Sequence, residues 1–165
     1  MKKVLIGVVA AVALAGAGFW QLSGTAKAAP DVTFTSLTGQ KITTQDLRGK
    51  VVFVKFWATD CTTCIQQMPD MVKSYDKLAP QGFRAIAVAM QYDQPNYVKN
   101  YAESRRLPFT VAIDSHGTLA KAFGDIKLTP TSFLIDKQGH IIKRYLGNFD
   151  HAAFMQTVEK ALANG

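Results

Sequence analysis

Cysteine is scarce in this chain: its 165 residues include two, Cys61 and Cys64, and no others. A disulfide framework of the kind that staples small secreted folds is thereby excluded. A structural zinc site is excluded with it, because such a site takes four ligands and one C-x-x-C supplies two. The three histidines, His116, His140 and His151, do not complete a set, since none has another at i+3 to i+5, and they read as loop or surface residues. No stripe of Lys and Arg and no basic-aromatic platform occurs, which argues against nucleic acid as a partner. Internal repeats and low-complexity tracts are also missing, and the only linker-like stretch is residues 21–30.

What is present begins with an N-terminal targeting segment, residues 1–28. Lys2 and Lys3 precede an uncharged apolar run over residues 4–20, followed by small and polar residues. Ala26-Lys27-Ala28 offers a cleavage site before Ala29, whereas the length of the apolar run reaches the lower limit of a membrane-spanning helix. The segment is expected to act as a signal peptide or as an N-terminal anchor, and either use exports the rest of the chain. It contains no cysteine to carry a lipid. Of the formal charge of +7, three charges (Lys2, Lys3 and Lys27) belong to this segment, leaving a mildly basic +4 for a single domain over residues 30–165.

Along that domain, residues 31–47 read as two short strands around Thr38-Gly39, with Thr44 capping a short helical turn that ends near Gly49. Residues 51–57, VVFVKFW, form a β-branched apolar run interrupted by Lys55 alone, the pattern of a strand buried on both faces. Cys61 then opens a helix to about Leu78 whose apolar stripe, Met68, Met71, Val72, Tyr75 and Leu78, is core. A second buried strand over 83–90, a helix from Gln94 to Leu107 and a strand over 109–114 follow, then a helical turn at 119–124. A hairpin turning at Gln138-Gly139 and an amphipathic helix capped by Asp150 close the chain. Alternating strands and helices that end in a hairpin predict an α/β sandwich around a mixed central sheet.

The cysteine pair therefore lies where a buried strand gives way to a helix N-terminus. A disulfide between residues so close in sequence closes a very small loop and constrains the unfolded chain little, so stability is a poor reason for it. Unpaired N–H groups and partial positive charge in the first helical turn favour a thiolate at Cys61. Cys61 is the expected nucleophile. Cys64, one turn further in, is expected to be shielded and to resolve a mixed disulfide. No cofactor or metal is expected beyond a redox-active Cys61–Cys64 disulfide.

FWATDCTTC (residues 56–64), LTPTSFLID some seventy residues later and the hairpin ahead of VVFVKFW resemble the thioredoxin superfamily, specifically the exported TlpA/ResA-like thiol–disulfide oxidoreductases. The likeness spans nearly all of residues 30–162. It implies a thioredoxin-like sandwich with an N-terminal β-hairpin extension, and a cis-proline at Pro130 facing the cysteines. It also implies a substrate surface around Trp57, Asp60, Thr62 and Thr129, with the Thr129 backbone pairing with an extended partner. Three positions depart from the family pattern. Asp60 stands where many relatives have a second Trp, and its carboxylate opposes thiolate formation unless solvent screens it. Gln67 stands where a Glu is frequent. Lys55 occupies the place of a buried Asp in cytoplasmic thioredoxins. The simpler reading of Lys55 is a stem packed along the strand with its ammonium reaching water. The sharper one places it beneath Cys64, where it stabilises thiolates or accepts the resolving proton as a desolvated amine.

Function follows from these readings as an expectation: a monomeric periplasmic oxidoreductase, soluble or tethered to the inner membrane. It is expected to reduce disulfides in exported partners and to be recharged by a membrane thiol–disulfide carrier; the resemblance implies apocytochrome c or copper-site assembly proteins as those partners. Thr62-Thr63 between the cysteines supplies only hydroxyl dipoles, which favours a reductant, while Lys55 pushes towards the alternative, a disulfide-forming oxidant. A peroxidase would need a Thr three residues before its Cys and a Pro seven before, and the residue seven before Cys61 is Val54. A copper-binding assembly protein of the same fold usually separates its cysteines by three residues rather than two and adds a distant His.

Overall fold

The structure, a computed structural model, describes residues 27–164. Most of the expected targeting segment lies outside this range. The described chain starts against the C-terminal hairpin, where the Lys27 carbonyl accepts the Ile141 N–H at 2.8 Å and Ala28 bridges to His140. Strands β1 (Thr33–Thr35) and β2 (Lys41–Thr43) pair antiparallel across a turn in which Gly39 takes φ +84°. The six residues after β2 form a hydrogen-bonded turn, not the expected helical one. Thr44 is drawn elsewhere: its hydroxyl donates to Asp31 at 2.9 Å and accepts the Val32 N–H at 3.1 Å.

The remaining elements are β3 (Val51–Trp57), α1 (Thr62–Leu78), a short 3-10 turn (Ala79–Gln81), β4 (Phe83–Ala89), α2 (Pro95–Ser104), β5 (Thr110–Ile113), α3 (Thr118–Ala122), β6 (Thr131–Ile135), β7 (Ile141–Leu146) and α4 (His151–Ala163). Helix α2 stops short of the expected Leu107. Arg106 adopts φ +49°, and Leu107 precedes Pro108, which disfavours helical backbone there. The five-stranded sheet runs β5-β4-β3-β6-β7, parallel between β3, β4 and β5 and antiparallel from β3 to β6 and β7. The mixed sheet, its flanking helices and the separate hairpin are the sandwich that the sequence predicts. The hairpin also covers the β5 edge, through a Ser36–Ala112 bridge and the Leu37 N–H on the Val111 carbonyl at 3.0 Å.

All seven residues of β3 are buried, and its period of two divides them between two cores. Val52, Val54 and Phe56 face β1 and α3, packing with Phe34, Phe123 and Phe133. Val51, Phe53 and Trp57 face α1, α2 and α4, packing with Cys64, Met68, Leu78 and Phe154. The same alternation puts Lys55 on the side of Cys64. At the start of α4 the Asp150 carboxylate accepts the Ala153 N–H at 2.7 Å. Asp150→Ala is expected to cost about 1 kcal/mol in urea unfolding and Asp150→Asn much less; equal losses would mean that the cap contributes through charge alone.

Candidate functional site

Cys61 is the N-cap residue of α1, in extended conformation, and its Sγ accepts the Cys64 N–H at 3.2 Å. The two cysteines are joined as a disulfide, with Cα atoms 5.2 Å apart. Cys61 is half-buried and Cys64 fully buried, so the first cysteine is the more accessible to a partner. Asp60 and Thr62, on either side of Cys61, are exposed. At Asp60 solvent therefore weakens the carboxylate's repulsion of a neighbouring thiolate.

The antiparallel register pairs Phe56 with Thr131, which sets Pro130 beside Trp57 at the end of β3 from which the cysteine loop departs. The Thr129–Pro130 peptide bond is cis. Thr129 is half-buried, and its hydroxyl lies 3.5 Å from that of the exposed Tyr92. Trp57 is not at this surface. It has 0% exposure, packs 5.3 Å from the Tyr101 ring and leaves its indole N–H without an acceptor. Strand alternation turns it into the core, so its expected place among substrate contacts is corrected to one of packing.

Lys55 does not reach water. It is 1% exposed, and its amine donates to Gln67 Oε1, one helical turn beyond Cys64. Burial pushes the amine down to about 7, because one amide acceptor offsets little of the cost of removing an ammonium from water. Gln67 in turn donates from Nε2 to the Gly147 carbonyl at 3.2 Å and to Asn148 Oδ1 at 3.1 Å. The Gly147 N–H donates to the Pro130 carbonyl at 2.8 Å. A single carboxamide thus joins β3, the cysteine helix and the loop after β7, whose Gly147 N–H is bonded to the Pro130 carbonyl.

Beside Lys55 lies a cavity of about 180 Å³, lined by Gln67, Asp70, Ser74, Asn148 and His151 among others. His151 is more than the loop or surface residue expected. The Ser74 hydroxyl lies 2.7 Å from the Asp70 carbonyl and 2.8 Å from His151 Nε2, so His151 is tied to α1 by a side-chain hydrogen bond.

Asp93 was not singled out from the sequence. It is 8% exposed and accepts two bonds of 2.6 Å from Thr59, one from the N–H and one from the hydroxyl, immediately before Asp60 and Cys61. Its one sequence signal is an acidic residue just beyond a buried strand. Among the described residues, no group of three or more His, Cys, Asp or Glu is arranged to hold a metal ion.

A family profile described as Redoxin matches residues 24–162. The thiol-disulfide oxidoreductase ResA of Bacillus thuringiensis subsp. konkukian is 43% identical over 122 residues, covering 73% of this chain and 69% of that protein. ResA of Geobacillus thermodenitrificans is 35% identical over 131 residues, covering 79% and 74%. A crystal structure of a thiol:disulfide interchange protein of the thioredoxin family from Chlorobium tepidum superposes with a TM-score of 0.77 at 30% identity, over 85% of this chain and 99% of that one.

Proposed function

Because this chain belongs to the redoxin family within the thioredoxin superfamily and is a ResA-like thiol–disulfide oxidoreductase, we propose that it reduces disulfides in exported proteins from the outer side of the bacterial cytoplasmic membrane. The observation that carries this reading is the unequal exposure of the two cysteines at the N-terminus of α1. In the reduced protein, the Cys61 thiolate attacks a partner disulfide and releases one partner thiolate. The Cys61–partner bond that forms is broken by Cys64, which leaves the partner with two thiols and the protein with the Cys61–Cys64 disulfide. Helix N–H groups support the attacking anion, and burial keeps Cys64 from competing for partners. The cis Thr129–Pro130 bond lies next to Trp57, at the end of β3 from which the cysteine loop departs, and the backbone there is the proposed docking edge for an extended partner segment.

Export rests on the apolar N-terminal run, with Lys2 and Lys3 held inside. A membrane thiol–disulfide carrier would return electrons to the pair, and apocytochrome c or copper-site cysteines are the substrates proposed. The C-x-x-C turn contains Thr62 and Thr63 and no cation. The pair is therefore expected to equilibrate nearer to the thioredoxin potential, about −270 mV, than to the DsbA potential, about −120 mV. An oxidising value would convert the proposal into its alternative, a disulfide-forming catalyst.

The test is mixed-disulfide trapping in the native envelope. Cys64→Ser is expected to accumulate exported proteins bound through Cys61, while Cys61→Ser accumulates none. Identical behaviour of the two variants would overturn the assignment of roles.

A further inference from the structure

Both positions where a carboxylate is usual beneath the cysteines are uncharged or cationic here, and the structure shows that they form one unit. As a neutral amine Lys55 has two N–H donors and a lone pair, and its side-chain acceptor is Gln67 Oε1. Gln67 follows Cys64 by three residues on α1, so their side chains share a helix face. Lys55 and Cys64 also face the same core. The amine is thus held under the turn that carries Cys64, beside a cavity whose lining includes the exposed residues Gln66 and Asn148 at its outer end.

From this geometry we infer that Lys55 is the proton acceptor for Cys64 in the step that releases the partner, with Gln67 as the positioning residue that aims the amine without supplying a counter-charge. The inference rests on the attack-and-resolve reading above. In the step itself, the Cys64 S–H bond breaks and its proton passes to the neutral amine. The Cys64 sulfur then forms its bond to Cys61 as the Cys61–partner bond breaks, and the partner leaves as a thiolate that takes a proton from solvent. Lys55 returns to the amine by losing its proton along the cavity. The partner disulfide is reduced by two electrons and the dithiol is oxidised by the same two.

Gln67 suits this role for a reason that a Glu would not share. Its Oε1 accepts from the amine while its Nε2 donates to Gly147 and Asn148; a carboxylate could not donate, and it would hold Lys55 as an ammonium. The other groups facing the amine leave it free to titrate. Its register partners are Ala87 on β4 and Ser132 on β6. On α1, Asp70 is engaged by Lys73 at 3.1 Å, and on α4, His151 Nε2 shares a hydrogen bond with the Ser74 hydroxyl. Burial brings the amine to about 7, so it is available as a base in neutral solution.

The test is single-turnover reaction of the reduced protein with one equivalent of a chromogenic bis-aryl disulfide, which releases one coloured thiolate on attack by Cys61 and a second on resolution by Cys64. In the wild type the rate of the second release is expected to rise with pH about a midpoint near 7. Lys55→Met is expected to slow it about 10- to 100-fold at neutral pH and to move the midpoint to the ordinary thiol range, about 8.5. Gln67→Glu is expected to raise the midpoint by about one pH unit or more, together with the titration of the Lys55 Cε resonance. A merely structural role for Lys55 would change rates without moving these midpoints. Two releases with unmoved midpoints in both variants would overturn the inference alone. A wild type that gives no second release, or that is first attacked at Cys64, would overturn the attack-and-resolve reading beneath it.

Discussion

Lys55→Met is expected to raise the free energy of unfolding by about 4 kcal/mol near pH 6, and to lower it by about 1 kcal/mol near pH 11. Lys55 is one of the largest fully buried side chains, and methionine fills a similar volume without a charge. In the folded protein the amine titrates at about 7; in the unfolded chain a lysine titrates at about 10.4. A gap of about 3.4 pH units corresponds to roughly 5 kcal/mol at about 1.36 kcal/mol per unit. Below the lower value both states are protonated and the folded state carries the whole penalty. Between the two values the unfolded state binds more protons, so wild-type stability rises with pH until both states are neutral. Against this stands the bond to Gln67, whose loss costs about 1 kcal/mol at every pH and leaves the reversed sign in alkali. Urea unfolding of both proteins across this range gives the difference directly, because titrations common to the two cancel. A difference that does not vary with pH would show that Lys55 is not buried as a titrating group. At neutral pH the wild type therefore holds a side chain that an apolar one would outdo in stability, which is the pattern expected where chemistry sets the residue.

The parts of the fold legible in the sequence are those set by local signals. β3 announces itself by a β-branched apolar run, α1 by a stripe of large apolar residues, and α4 by Asp150 ahead of an amphipathic segment. The cysteine site was legible for the same reason, since its two sulfurs lie within one helical turn. Alternation along β3 could also place Lys55 on the side of Cys64. It could not show whether the ammonium reaches water, because that depends on Gly147 and Asn148, 80 and 81 residues from the Gln67 that binds them. The resemblance puts Trp57 among the substrate contacts, whereas the same period of two that buries Phe53 also buries it, as the apolar run over residues 51–57 implies. Thr44 shows the converse failure. Its capping propensity is real, and a partner across the hairpin outcompetes it.

Asp93 shows how much of a site can lie outside sequence pattern, and Asp93→Ala is expected to cost about 3 kcal/mol and to slow attack by Cys61 about tenfold. The carboxylate approaches Thr59 from 34 residues away, in the turn just after β4, the strand that the parallel register places beside β3. Its two bonds are short and charge-assisted, and they hold the backbone just before Asp60 and Cys61. Alanine would leave the Thr59 N–H and hydroxyl without acceptors at a half-buried position, and the loop that presents the sulfur would lose its fixed point. Asp93→Asn is a milder change, because the Thr59 hydroxyl can turn and accept from the amide while its N–H still donates to the remaining oxygen. About 1 kcal/mol and less than threefold in rate are expected for it. Thr59→Val removes the hydroxyl bond and keeps the N–H bond, so the double variant Thr59→Val, Asp93→Ala should cost about 1 to 2 kcal/mol less than the sum of the single changes. Strict additivity in unfolding would separate the two residues and remove Asp93 from the site. With coupling and slowed attack together, the buried acid is a positioning residue: it acts on Cys61 through Thr59, and its effect belongs to the first thiolate release and not to the second.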